Sequence, residues 1–234
     1  MWGSPPGVKR TVNFITSILA VVSKDVRSEL RTRYAMNALL MFVVTSVATI
    51  LFALRDDDVS TEVLSGMFWV VIFFTAMSGL SRIFISEEER GTTMTLQLVA
   101  SPSVVYLGKL IFNAGLTLAL SSAVTLLYLI AFPAFIIKSM EIFTITIFLG
   151  SLGFAAAATI IAAIIAKAST KGTLYPVLSF PILIPLLMTV MKSTARALDG
   201  ELFTAALGEF QVLVSYLMIM VAGSYLLFDY VWKE

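Results

Sequence analysis

The sequence predicts an all-α integral membrane protein with six transmembrane helices. An N-terminal interfacial amphipathic helix precedes them, and a short cytoplasmic helix lies between spans two and three. Three observations predict this. Of 234 residues, 59% are hydrophobic and only 13% charged, whereas soluble domains hold about 25% charged and 45–50% apolar residues. A mean hydropathy of +0.95 leaves too little polar surface to face water, so the excess must face lipid. The basic residues also fall unequally on the two sides that six crossings define.

A spanning helix needs about 20 mostly apolar residues. Six stretches qualify: 35–54, 63–80, 110–132, 142–166, 173–191 and 212–228. With the N-terminus inside, the cytoplasmic side carries Lys9, Arg10, Lys24, Arg27, Arg31, Arg33, Arg82, Arg90, Lys109, Lys167, Lys171 and Lys233. Only Arg55, Lys138, Lys192 and Arg196 remain outside. Basic residues in short loops mark the cytoplasmic side, so both termini are expected in the cytoplasm. The chain divides into an N-terminal cytoplasmic or interfacial segment, 1–34, and a six-helix transmembrane domain, 35–234.

Residues 12–33 precede the first span. Phe14, Ile15, Ile18, Val21, Val22 and Val26 recur at helical spacing, and polar residues fill much of the other face. That pattern predicts a helix lying in the membrane interface, the alternative being an extension of span one. The polar, Pro- and Gly-containing start shows no cleavable signal pattern. Outside the membrane, Asp56-Asp57-Asp58 is expected to form a solvated cap, and 192–208 a stretch on the outer surface.

The longest cytoplasmic connection runs from Arg82 to Lys109. Ser86 with Glu89 fits a capping box, and Gly91 breaks the acidic run. Thr92 or Thr93 can cap a short helix containing Met94, Leu96, Leu98 and Val99. Ser101-Pro102 ends it, and Ser103 can cap the start of span three.

Several function classes are excluded by residue type. The chain has no Cys and no His, which removes thiolate chemistry, the commonest metal ligand and the commonest general base; no metal site is expected. No P-loop is present: before Gly108-Lys109, Ser103 stands where its first glycine belongs, and Leu110 follows where Ser or Thr belongs. No charged residue lies near the middle of a span, which weighs against an ion-coupled carrier. No filter-like segment suggests a channel, and no convergent intramembrane Ser, Asp, Glu or Lys groups suggest a membrane enzyme.

Buried polar groups are expected to be few. Asn113 is the clearest, bonding a neighbouring helix. Span four carries small residues in two rows, Ser151, Ala155, Thr159 and Ala163, and Gly153 with Ala157. Such faces allow close backbone approach, for packing within the chain or at a seam between two copies. Span five carries Pro176, Pro181 and Pro185, each of which removes a backbone donor and tends to kink a helix.

The 82–109 loop resembles that of ABC-2-type transporter permeases. The shared pattern is an acidic run (Glu87, Glu88, Glu89, Arg90), Gly91-Thr92, a short apolar helix around Leu96, Pro102, and Gly108-Lys109 entering the next span. Many members place an acidic residue shortly after Gly-Thr, where this chain has Met94 and Thr95. Within that superfamily the chain is similar to CcmB, the haem exporter permease subunit family of cytochrome c maturation. LSGMFWVVIFFTAMSGLSRIF, GSLGFAAAATIIAAIIAKAS and PVLSFPILIPLL carry the narrower resemblance, which covers nearly the whole chain after about residue 25.

The resemblance implies a bacterial inner-membrane subunit that couples ATP hydrolysis by a partner to haem export, or to release of a haem-loaded periplasmic chaperone. An ABC-2-type exporter permease for a lipid, drug or glycan is the alternative. Glu87, Glu88, Glu89, Arg90, Gly91, Thr92, Leu96 and Pro102 would form the ATPase-coupling segment, making the short helix a coupling helix. The implied partners are an ABC ATPase subunit (CcmA-like), a haem-handling membrane protein (CcmC-like) and a periplasmic haem chaperone (CcmE-like), with two copies of the chain per complex. ATP and Mg would sit on the ATPase and haem on partner proteins, so no cofactor is expected on this chain and no enzymatic activity of its own.

Overall fold

A computed structural model describes residues 14–31, 33–54, 59–80, 87, 91–166 and 171–233. Among the described residues the elements are α1 (Phe14–Arg31), α2 (Arg33–Ala53), α3 (Thr61–Leu80), α4 (Thr93–Val99), α5 (Pro102–Ala131), α6 (Met140–Ala166), α7 (Lys171–Asp199), a 3-10 turn (Phe203–Ala206) and α8 (Leu207–Lys233), with no strand. Six of these helices, α2, α3 and α5 to α8, are long and apolar enough to cross a membrane. The chain is an all-α integral membrane protein.

Helix α6 lies at the centre. It packs against α3, α5, α7 and α8, while α2 sits outside against α3 and α5. Its glycines and alanines make this possible. A Cβ on Gly150 would stand 2.7 Å from the Trp69 ring, and one on Gly153 2.8 Å from Leu186. Phe68, Tyr128, Phe135 and Phe143 interlock near the turn between α5 and α6, with Phe68 edge-on to Tyr128 at 5.1 Å.

Three spans run further than hydropathy predicts. α5 begins at Pro102 rather than 110, since Ser101 is extended (φ −67°, ψ 152°) and proline suits the first helical position. Ser101 therefore holds the cap position assigned above to Ser103. α7 continues to Asp199 and α8 starts at Leu207, so 192–199 is helix rather than surface loop. An apolar window misses such ends because Lys192, Ser193, Thr194 and Arg196 are polar yet helical.

The reason lies in their partners. Trp69 donates to Thr194 at 2.8 Å, and Thr146 and Ser193 hydroxyls meet at 2.6 Å. Glu209 pairs with Lys192 at 3.0 Å and with Arg196 at 3.3 Å, and Arg196 also pairs with Glu201. Gly200, at φ +82°, turns the chain between them. Asp56-Asp57-Asp58 and the Ser86–Glu89 capping box lie outside the described residues.

The expectation of few buried polar groups is overturned. Lys109, Asn113, Thr117 and Ser121, spaced by four, form a fully buried row on α5. Asn113 donates to Thr159 at 2.7 Å, and Ser121 meets Ser151 at 3.0 Å. Thr117, Thr146 and Thr159 donate to carbonyls one turn back in their own helices. Hydropathy averages hide them because their apolar neighbours dominate each window.

Candidate functional site

The most unusual chemistry lies where α1, the segment before α4, and α5 converge. The Lys109 ammonium is almost completely buried. It donates to Glu87 Oε1 at 2.9 Å and to Asp25 Oδ1 at 3.3 Å. Lys24 pairs with the same Glu87 oxygen, and lies 3.3 Å from Asp25. Among the described residues two cations thus meet two carboxylates, and these four charges balance. That balance is what permits burial, since an unpaired charge here would cost several kcal/mol.

Local sequence explains each position. Asp25 shares the α1 face of Ile18 and Val21, which pack on Val104 of α5. A Cβ on Gly108 would stand 2.7 Å from Val21, so glycine lets α1 settle one residue before Lys109. Gly91, at φ +65°, reverses the chain after the acidic run, a conformation glycine adopts without penalty. That turn brings the Thr92 amide within 3.0 Å of the Glu87 carbonyl and the Thr92 hydroxyl within 2.9 Å of Glu87 Oε2.

The electrostatics follow. Burial would push the Glu87 carboxyl up, but Lys109 and the hydrogen bond from Lys24 outweigh it and hold the group at about 2. Burial would lower the Lys24 ammonium, yet the Glu87 hydrogen bond and the Asp25 charge raise it.

Helix α4 adjoins this cluster. Its inner face is fixed: Thr93 is buried, Leu96 packs on the core, and Gln97 donates to the Trp232 carbonyl of α8 at 2.6 Å. Its outer face is apolar and open, with Met94 77%, Leu98 88% and Val99 82% exposed. Met94 and Leu98, four apart, share one side of the helix.

Of the coupling-segment residues, Glu87, Gly91, Thr92, Leu96 and Pro102 are thus in or beside one assembly. Glu88, Glu89 and Arg90 lie outside the described residues. Glu87 points inward, not toward solvent. Ser151, Gly153, Ala155, Ala157 and Thr159 are buried inside the single chain, against neighbouring helices. The prolines are carried within one continuous helix, Lys171–Asp199. In the turn before Pro185, the Ile182 carbonyl accepts from Tyr216 of α8 at 3.0 Å.

Sequence reasoning missed Lys109, Asp25 and Lys24. Their signals were the four-residue row beginning at Lys109 and an acid on the apolar side of α1. Among the described residues no group of His, Cys, Asp and Glu could hold a metal ion.

A family model described as CcmB protein matches residues 16–226, and the chain belongs to that family. No curated protein matches it. Membership makes it a multi-pass membrane permease subunit of the ABC system of cytochrome c maturation and haem export.

Proposed function

We propose that this subunit couples ATP hydrolysis by a separate ABC ATPase to release of a haem-loaded periplasmic chaperone, and that α4 with the turn before it receives the ATPase. The observation that carries the reading is the open apolar face of α4, Met94, Leu98 and Val99, on a helix held from behind by Leu96 and Gln97. A solvated connector has no use for three large exposed apolar side chains in seven residues. Glu87 and Thr92 lie between that face and Lys109, so motion imposed on α4 reaches α5 through short polar contacts.

Chaperone release is favoured over haem passage because the chain has no His and no Cys with which to ligate iron in transit. The haem-handling membrane protein and the chaperone are the other partners. The distribution of Lys and Arg supports an inner-membrane placement with both termini cytoplasmic. Two copies per complex would meet through surfaces other than the buried α6 row.

The test is capture of the ATPase subunit by the membrane protein carrying Met94→Asp and Leu98→Asp. These exposed positions leave the fold intact, and capture falls at least tenfold. Undiminished capture would place the docking surface elsewhere. Normal covalent c-type cytochromes in a deletion strain would defeat the maturation role and leave another exported substrate.

A further inference from the structure

From the faces of α1 we infer an acidic-phospholipid site: Arg27 and Arg31, beside an exposed apolar strip, hold anionic headgroups of the leaflet in which this helix lies. The helix has three faces. Ile18, Val21 and Asp25 are buried toward α5. Ile15, Leu19, Val26 and Leu30, at spacings of four, seven and four, form an exposed apolar strip, with Ile15 69%, Leu19 57% and Leu30 65% open. Lys24, Arg27 and Arg31, at spacings of three and four, form a basic row, and Arg27 and Arg31 are exposed.

Two arguments identify the occupant. The first is depth. α1 is seated on Val104 and Gly108, in the first two turns of α5. At 30 residues, α5 exceeds the roughly 20 that cross the hydrocarbon, so its first turns stand at headgroup level. An apolar strip fixed there meets acyl chains rather than water or a soluble protein.

The second is charge. Asp25 is neutralised by Lys109 and Lys24. Among the described residues neither Arg27 nor Arg31 joins an ion pair. A guanidinium matches phosphate with two parallel hydrogen bonds, and each basic residue near an anionic surface favours it roughly fivefold. The buried charge cluster sets the height of the helix, and the arginines select the lipid around it.

The experiment uses the full chain in vesicles of phosphatidylcholine and phosphatidylglycerol. Because the chain has no cysteine, Leu30→Cys can carry a single environment-sensitive dye, and brominated versions of each lipid report which lies beside it. Brominated phosphatidylglycerol is enriched at least about fivefold over brominated phosphatidylcholine, the share of a single arginine. Arg27→Gln with Arg31→Gln abolishes the preference, whereas Arg27→Lys with Arg31→Lys keeps most of it. Equal quenching by both lipids in the parent, survival of the preference in the glutamine variant, or its loss in the lysine variant overturns the proposal. Suppression of the preference by millimolar inorganic phosphate would identify a free-phosphate site and overturn it too.

Discussion

Lys109 and Glu87 meet at 2.9 Å, joining the base of a membrane span to the segment that leads into α4. Both side chains are almost wholly buried, and each has a second partner in α1. Removing one member of such a pair leaves the buried cluster with one charge uncompensated, at a cost of about 3–5 kcal/mol, whereas an apolar pair of similar volume is often neutral. Lys109→Met alone should therefore sharply lower the unfolding temperature of the purified protein. Lys109→Met with Glu87→Met should recover most of the loss, because Lys24 and Asp25 still pair. Comparing the two variants by thermal denaturation in detergent checks this. If the double variant is no more stable than the single one, the cluster owes its stability to something other than charge balance.

The same contact sets a pH dependence. Glu87 is held at about 2, below an ordinary value of 4.5. A depressed carboxylate contributes stability that is complete above the ordinary value and disappears as pH falls through the folded one. Stability should therefore be flat in this respect above pH 4.5, and decline between 4.5 and about 2. In Glu87→Gln that part of the decline should vanish, leaving a lower and flatter profile. Denaturation midpoints across the acid range decide it.

Much of the fold is legible in the sequence because lipid demands long apolar helices, and each of the six apolar stretches falls on a helix long enough to cross a membrane. What hydropathy cannot report is how polar residues at helix ends are partnered. Lys192, Arg196 and Glu209 satisfy one another across the turn between α7 and α8, so helix persists where composition reads loop. The site was half legible. Gly91-Thr92 and Pro102 stood out as punctuation, but an acidic run does not say which glutamate turns inward. Glu87 does so because Thr92, five residues on, and Lys109, twenty-two on, both reach it. Asp25 lies at helical spacing from Ile18 and Val21, on the apolar side of α1, yet spacing alone does not say which side of that helix is buried. Only the packing of Ile18 and Val21 on α5 shows that it lies on the buried side.

Absence of iron ligands makes a spectroscopic prediction. With no His or Cys, only Met and Tyr among the usual axial ligands remain. Membrane Met and Tyr commonly serve packing: Tyr106 and Tyr128 sit in aromatic clusters. Titrating the purified chain with haemin should give no stoichiometric, sharp low-spin Soret band. A saturable band at one haem per chain would show that this subunit itself carries the cargo.

The seat of α1 can be tested by volume alone. Gly108 faces Val21, and an added Cβ would lie 2.7 Å from both Val21 Cβ and Cγ1. Real Cβ atoms do not approach so closely, so Gly108→Ala must push α1 outward. Alanine favours helix over glycine by roughly 1 kcal/mol, while overpacking costs about 1–3 kcal/mol; the net effect should be a modest loss, felt chiefly at α1. Val21→Ala removes Cγ1 but keeps the Cβ that would also stand 2.7 Å away, so it should rescue Gly108→Ala only in part. A cysteine at Ile18, buried in the parent, reports the outcome through its rate of maleimide labelling. Labelling should rise severalfold in Gly108→Ala and return toward the parent rate when Val21→Ala is added. Unchanged labelling in Gly108→Ala would mean that α1 is held by the charged cluster alone, and that its apolar contact with α5 contributes little.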